Sequence, residues 1–253
     1  MGELGLACLL VYTLTSLVVG TRLIARARRS RGWPELLMGL TYTTAPGLGY
    51  PLVITAALWT TRAASLTSTV AGELLIIFGC SAFMIFNAKV FRPSAGWAMS
   101  LAYIGVSVIV AGGAAVILAY LSSADTALAV DRARSGTAAI LTALGAGYAW
   151  TAFEGIRYNR MLRRRIALGL AEPIVANRFL LWAIAAIVAT VWNSVSVYYL
   201  LSGANIGTHP VPLLATSLGG LVSAVMQVLI FMPPARYVRW IERDRAARAL
   251  AIA

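Results

Sequence analysis

Charged residues are scarce in this 253-residue chain, at 12% against about 25% in globular domains, and only 9 positions are acidic. So little polar surface cannot cover a sequence that is 60% hydrophobic, with a mean hydropathy of +0.80, so a soluble fold is excluded. Histidine occurs once, as His209, and lysine once, as Lys89. Cysteine occurs twice, as Cys8 near the start of one apolar run and Cys80 in the middle of another. Their depths differ, so no disulfide is expected, and one histidine with two distant cysteines makes no metal cluster. The sequence has no HExxH, CxxC, GxSxG or phosphate loop. Two isolated glutamates on different apolar runs supply no convergent acid, base or ligand groups. No enzyme activity, metal or cofactor is expected.

What fills the chain is long apolar sequence. Seven stretches of roughly 20 residues or more lie near 3–22, 36–60, 66–91, 97–122, 136–156, 177–201 and 210–235. Each can cross about 30 Å of hydrocarbon as a helix rising about 1.5 Å per residue. The expected fold is therefore all-α, a polytopic seven-transmembrane helix bundle occupying residues 1–235. The first stretch lacks a basic leader and is followed by its cations, so it reads as a retained anchor. The connection at 122–136 reads as an outer loop too small to fold alone, and residues 236–253 as a short basic helical tail.

The net charge of +12 is distributed by side. Arg22, Arg26, Arg28, Arg29 and Arg31 follow the first stretch, and Lys89 and Arg92 the third. Arg157, Arg160, Arg163, Arg164, Arg165 and Arg178 lie between the fifth and sixth, and Arg236, Arg239, Arg243, Arg245 and Arg248 follow the seventh. Alternating crossings leave only Arg62, Arg132 and Arg134 for the other side. The positive-inside bias then puts the N-terminus outside and the C-terminus in the cytoplasm, in an inner membrane. The lipid bilayer, and its anionic lipids in particular, are the expected partners, rather than nucleic acid, which would need a groove or motif beside the arginines. An oligomer is compatible with the sequence.

A faint echo links the two halves. RLIARARRSRG before Trp33-Pro34-Glu35 parallels RYNRMLRRRIALG before Glu172-Pro173, and FNAKVFRP parallels FMPPARYVR. Three stretches, one linker and three more would make a 3+1+3 parallel repeat, a plan found among transporters. Gly169 and Gly32 offer left-handed helix stops, and Pro173 and Pro34 suit the first turn of the next helix.

The run RRRIALGLAEPIVANRFLLW, residues 163–182, resembles a connection in the seven-helix input modules of bacterial membrane signalling proteins. The resemblance implies a sensor whose basic cytoplasmic surface (Arg160, Arg163, Arg164 and Arg165) meets a signalling partner. Seven helices with an outward N-terminus are also similar to the architecture of microbial rhodopsins. Their retinal is held by a lysine in the last helix, whereas the seventh stretch here has none. Covalent retinal in that position is excluded.

A few hydrophilic residues interrupt the apolar runs. Glu73 lies about 10 Å inside the third stretch, and a carboxyl at that depth is a candidate ligand or proton-coupling group. Glu154 and Arg157 stand i, i+3 and are expected to pair, as structural support or as a switch. In TYTTAPGLGYP, residues 41–51, Pro46 and Pro51 remove backbone donors, so a kink or local unwinding is expected beside Tyr42 and Tyr50. Trp192, Asn193 and Gln227 complete the candidates, the amides serving either as interhelical glue or as cavity lining. Glu73, Tyr50, Trp192 and Asn193 would share an outward-facing pocket. Two functions fit: a receptor-like sensor binding a small or lipophilic ligand in the bundle and signalling through its basic helix ends, or a small-solute transporter or channel.

Overall fold

In hydrocarbon each segment must satisfy its own backbone, so apolar runs become helices. The computed structural model describes residues 3–206 and 209–250, with side chains for 5–206 and 209–242. The elements are α1 (Glu3–Ser30), α2 (Trp33–Tyr42), a π-helical segment (Thr43–Gly49), α3 (Tyr50–Thr55) and a 3₁₀ turn (Ala56–Leu58). They continue with α4 (Arg62–Phe91), α5 (Gly96–Ser122), α6 (Thr126–Ala167), α7 (Pro173–Leu201), α8 (Pro210–Phe231) and α9 (Ala235–Leu250). Among the described residues five helices are long and apolar enough to cross a membrane: α1 from Gly5, α4, α5, α7 and α8. The stretch from α2 to α3 is divided by its wide turn. The apolar middle of α6, rich in glycine, alanine and threonine, is flanked by charged turns at both ends.

Neighbours in sequence are neighbours in space. α1 packs on α2 and the π segment, these on α4, then α4 on α5, α5 on α6, α6 on α7 and α7 on α8. α8 returns to α1 and closes the ring. Lys89 lies 5.1 Å from the Trp33 ring, Arg22 donates to the Met232 sulfur at 3.0 Å, and Arg92 reaches Glu154. The basic ends of α1, α4 and α6 and the segment that follows α8 therefore lie on one face of the bundle. Side chains of Arg243, Arg245 and Arg248 lie outside the described residues.

Large apolar side chains point outward, including Leu10, Leu14, Phe78, Ile104, Leu118 and Phe153, while alanines such as Ala98, Ala102, Ala183 and Ala186 are buried. In water such a surface would aggregate; against lipid it is the matching surface, and small interior residues let helices approach. One close approach joins α5 to α6. A Cβ on Gly112 would stand 2.8 Å from the Gly136 carbonyl oxygen, and one on Gly136 only 2.5 Å from that of Gly112.

The expected interruption of the second stretch takes the form of a widened turn, not an unwound one. Pro46 cannot donate, and the ladder shifts to the i→i−5 register, with the Tyr50 amide bonding the Ala45 carbonyl. Threonine hydroxyls take up the carbonyls: Thr13 of α1 donates to the Pro46 oxygen at 3.3 Å and Thr44 to that of Leu40 at 2.8 Å.

Three boundaries differ from the sequence reading. The region 122–136 is largely helix, because Asp125 accepts the Leu128 amide at 2.7 Å and starts α6 there. α6 thus has 42 residues, about 63 Å at about 1.5 Å per residue. α1 is ended by Arg31 in the left-handed region (φ 51°), with Gly32 extended at φ −80°. The last stretch stops at Phe231, and Pro233-Pro234 separate it from α9. Asn177 of α7 holds α9 through the Tyr237 hydroxyl at 2.6 Å. Gly169 does end α6, at φ 72°, with Leu170 bonding the Arg165 carbonyl at 2.9 Å and Gly169 that of Ile166 at 3.0 Å.

Candidate functional site

Helical periodicity turns one stripe of several helices toward the ring's centre. On α7 the stripe runs Trp182, Ala185, Ala186, Ala189, Trp192; on α8 it is Ser223, Met226, Gln227, Ile230. Tyr12 of α1, Met38, Thr41 and Tyr42 of α2, Phe83 of α4, and Tyr148 and Thr151 of α6 complete the wall. They line a partly open cavity of about 50 Å³. One water needs about 10–15 Å³ on this measure, so the space holds a few water-sized groups. Pockets for drug-sized ligands measure about 300–1,000 Å³, which sets this one well below retinal or a lipid chain.

Among the described residues no charged side chain lines the cavity. Its polar wall is part fixed and part open. Gln227 and Ser16 exchange hydrogen bonds at 3.3 Å and so join α8 to α1. The single Thr151 hydroxyl proton is shared between the Asn87 oxygen at 2.8 Å and the Gly147 carbonyl at 3.0 Å, and Asn87 donates to that same carbonyl at 3.1 Å. By contrast, the hydroxyls of Tyr12, Tyr42 and Tyr148 make no hydrogen bond to any described residue. Asn87, which the sequence offers only within the FNAKVFRP echo, is fully buried and ties α4 to α6. Its one available signal was an amide near the end of an otherwise apolar run. Asn87→Leu should lower stability by about 1 kcal/mol, read from unfolding in mixed micelles.

Toward the arginine-rich face the cavity is floored by rings. Trp182 lies 5.2 Å from Phe86, 6.1 Å from Phe91, 6.3 Å from Phe179 and 6.0 Å from Phe231, and Phe231 lies 5.8 Å from Tyr42. One turn after Thr151, Glu154 is 1% exposed and receives Arg92 Nε at 2.5 Å on one oxygen and Arg157 at 3.5 Å on the other. The i, i+3 spacing predicts the Arg157 contact alone. Arg92, 62 positions away, is the shorter contact and the more buried arginine, 29% exposed against 54%.

Of the residues singled out in the sequence, Trp192 and Gln227 line the cavity, and Glu73, Tyr50, Pro46 and Asn193 do not. Glu73 is 9% exposed in the half of α4 away from the arginines, without a hydrogen bond or ion pair among the described residues. It lies beside Gly72, whose Cβ would meet the Gly49 carbonyl at 2.9 Å. Pro46 is buried against Thr13, and Asn193 donates to its own helix at the Ala189 carbonyl, 2.7 Å away. The cavity described lies nearer the arginine-rich face, and of Glu73, Tyr50, Trp192 and Asn193 it includes Trp192 alone. Arg160, Arg163, Arg164 and Arg165 are exposed at the end of α6. His209 caps α8, its Nδ1 accepting from the Val211 amide at 3.4 Å. Among the described residues no three His, Cys, Asp or Glu side chains gather as a metal site. Compared with known proteins, the chain matches no family model, no curated protein and no solved structure.

Proposed function

We propose that this chain is a receptor-like sensor that crosses an inner membrane seven times, with its N-terminus outside and its arginine-rich face in the cytoplasm. A small ligand occupies the central cavity, and the signal leaves through the connection between α6 and α7. The 3+1+3 repeat is not part of this reading, because the second crossing is interrupted at Thr43–Gly49 while α7, its counterpart, is continuous.

The observation that carries the reading is the double role of α7. Its Trp182-to-Trp192 stripe is the largest share of the cavity wall. Its packing partner α6 ends in Arg163, Arg164 and Arg165, followed by Leu168 and Leu170 at 72% and 73% exposure. Taking Glu154 as the inner edge of the membrane, Arg164 stands about 15 Å beyond it at about 1.5 Å per residue. That exceeds the screening length of about 8 Å at physiological salt, so lipid charge acts weakly there. Basic side chains beside bare leucines suit an acidic, amphipathic protein surface instead.

The test pairs recovery with flux. Full-length protein cross-linked in its native membrane should recover a cytoplasmic kinase, cyclase or response regulator. Arg163→Glu, Arg164→Glu and Arg165→Glu together should reduce that recovery at least about tenfold. Reconstituted alone in liposomes, the protein should pass neither protons nor small solutes. Flux without a partner would make it a carrier or channel and end the sensor reading.

A further inference from the structure

The chemistry of the cavity wall narrows what can bind. Six aromatic rings from five helices border one small space: Tyr12, Tyr42, Phe83, Tyr148, Trp182 and Trp192. Hard metal cations need several carboxylate or carbonyl oxygens, and no carboxylate lines this wall. An anion stripped of water needs a formal positive charge, but no arginine or lysine is present there, and Arg92 and Arg157 are engaged with Glu154. A purely apolar guest would cover the hydroxyls of Tyr12, which is buried, and of the half-buried Tyr42 and Tyr148 without giving them a partner. A large guest does not fit about 50 Å³.

The guest is therefore small and able to donate hydrogen bonds, and six aromatic rings favour one that is also cationic and partly apolar. Resting on the cavity as the ligand site, we propose that it is a cage for a small organic ammonium ion of the methylammonium class. Its N–H groups donate to the oxygens of Tyr12, Tyr42 and Tyr148. Its methyl carbon packs on Phe83 and Trp192, and its charge is held by the ring quadrupoles, an attraction that strengthens when the ion is desolvated.

The full chain in nanodiscs can be titrated with methylammonium at constant ionic strength, following tryptophan emission and the unfolding midpoint. Saturable quenching with a rise in midpoint is expected. Trp192→Leu should weaken binding by about tenfold or more. Tyr148→Phe keeps the ring, loses only the oxygen and should weaken it by about threefold to tenfold; it guards against misfolding of the tryptophan variant. Methanol tests the neutral alternative and formate the anionic one. Saturation by either at the same concentrations, no saturation by methylammonium, or unchanged binding in both variants overturns the assignment. Failure of this titration leaves partner recovery and the sensor reading standing. Binding without partner recovery leaves the cage and removes the sensor.

Discussion

Replacing Arg92 by methionine is expected to lower stability by about 3 kcal/mol, the scale for removing one partner of a buried ion pair. The cost comes from Glu154, left almost without solvent at 1% exposure and with only the longer 3.5 Å contact to Arg157. Arg157→Met should cost under about 1 kcal/mol, because that arginine is 54% exposed and water competes for it. Unfolding in mixed micelles of increasing denaturing-detergent fraction gives both values on one scale. Arg92→Met combined with Glu154→Gln should lose less than the two single changes summed, since the stranded carboxylate is gone. Equal losses for the two arginines would mean that the 2.5 Å contact does not hold α4 to α6.

The second large effect is expected where no side chain exists. Gly136→Ala adds one methyl that would stand 2.5 Å from the Gly112 carbonyl oxygen, so α5 and α6 must separate, for about 2–3 kcal/mol. Gly112→Ala should behave alike, its methyl facing the Gly136 oxygen at 2.8 Å. Gly96→Ala is the control, with nothing within 4 Å, and should stay within about 0.5 kcal/mol of the parent. A neutral Gly136→Ala would show that the α5–α6 contact is looser than it stands.

Much of the architecture was legible because hydrocarbon leaves few choices. Long apolar runs give helices, and cation clusters mark one end. Local punctuation was legible where a single residue sets it, as at Gly169 and Pro173. It failed where two signals competed. Asp125 is a good N-cap, but Asp131, Arg132 and Arg134 in the following turns made the same segment read as a polar loop. Pro46 announced an interruption, yet whether the chain unwinds or widens depends on Thr13, which arrives from α1. The candidate site was legible only in Trp192, Gln227 and, beside the proline break, Tyr42. Tyr12, Tyr148 and Trp182 look like ordinary apolar or interfacial residues until the ring of helices turns them inward. Arg92 could not be assigned to Glu154 from sequence, because nothing local connects positions 62 residues apart.

α6 is one unbroken rod from Asp125, its cap, to Leu168, about twice as long as a hydrocarbon core is thick. A rod of that kind cannot keep a movement to itself. Pivoting by about 10° around its middle carries each tip sideways by about 5 Å, in opposite directions, over a half-length of about 31 Å. The Asp125 tip and the arginines at the opposite end are therefore mechanically a single lever, and whatever leans on one end displaces the other.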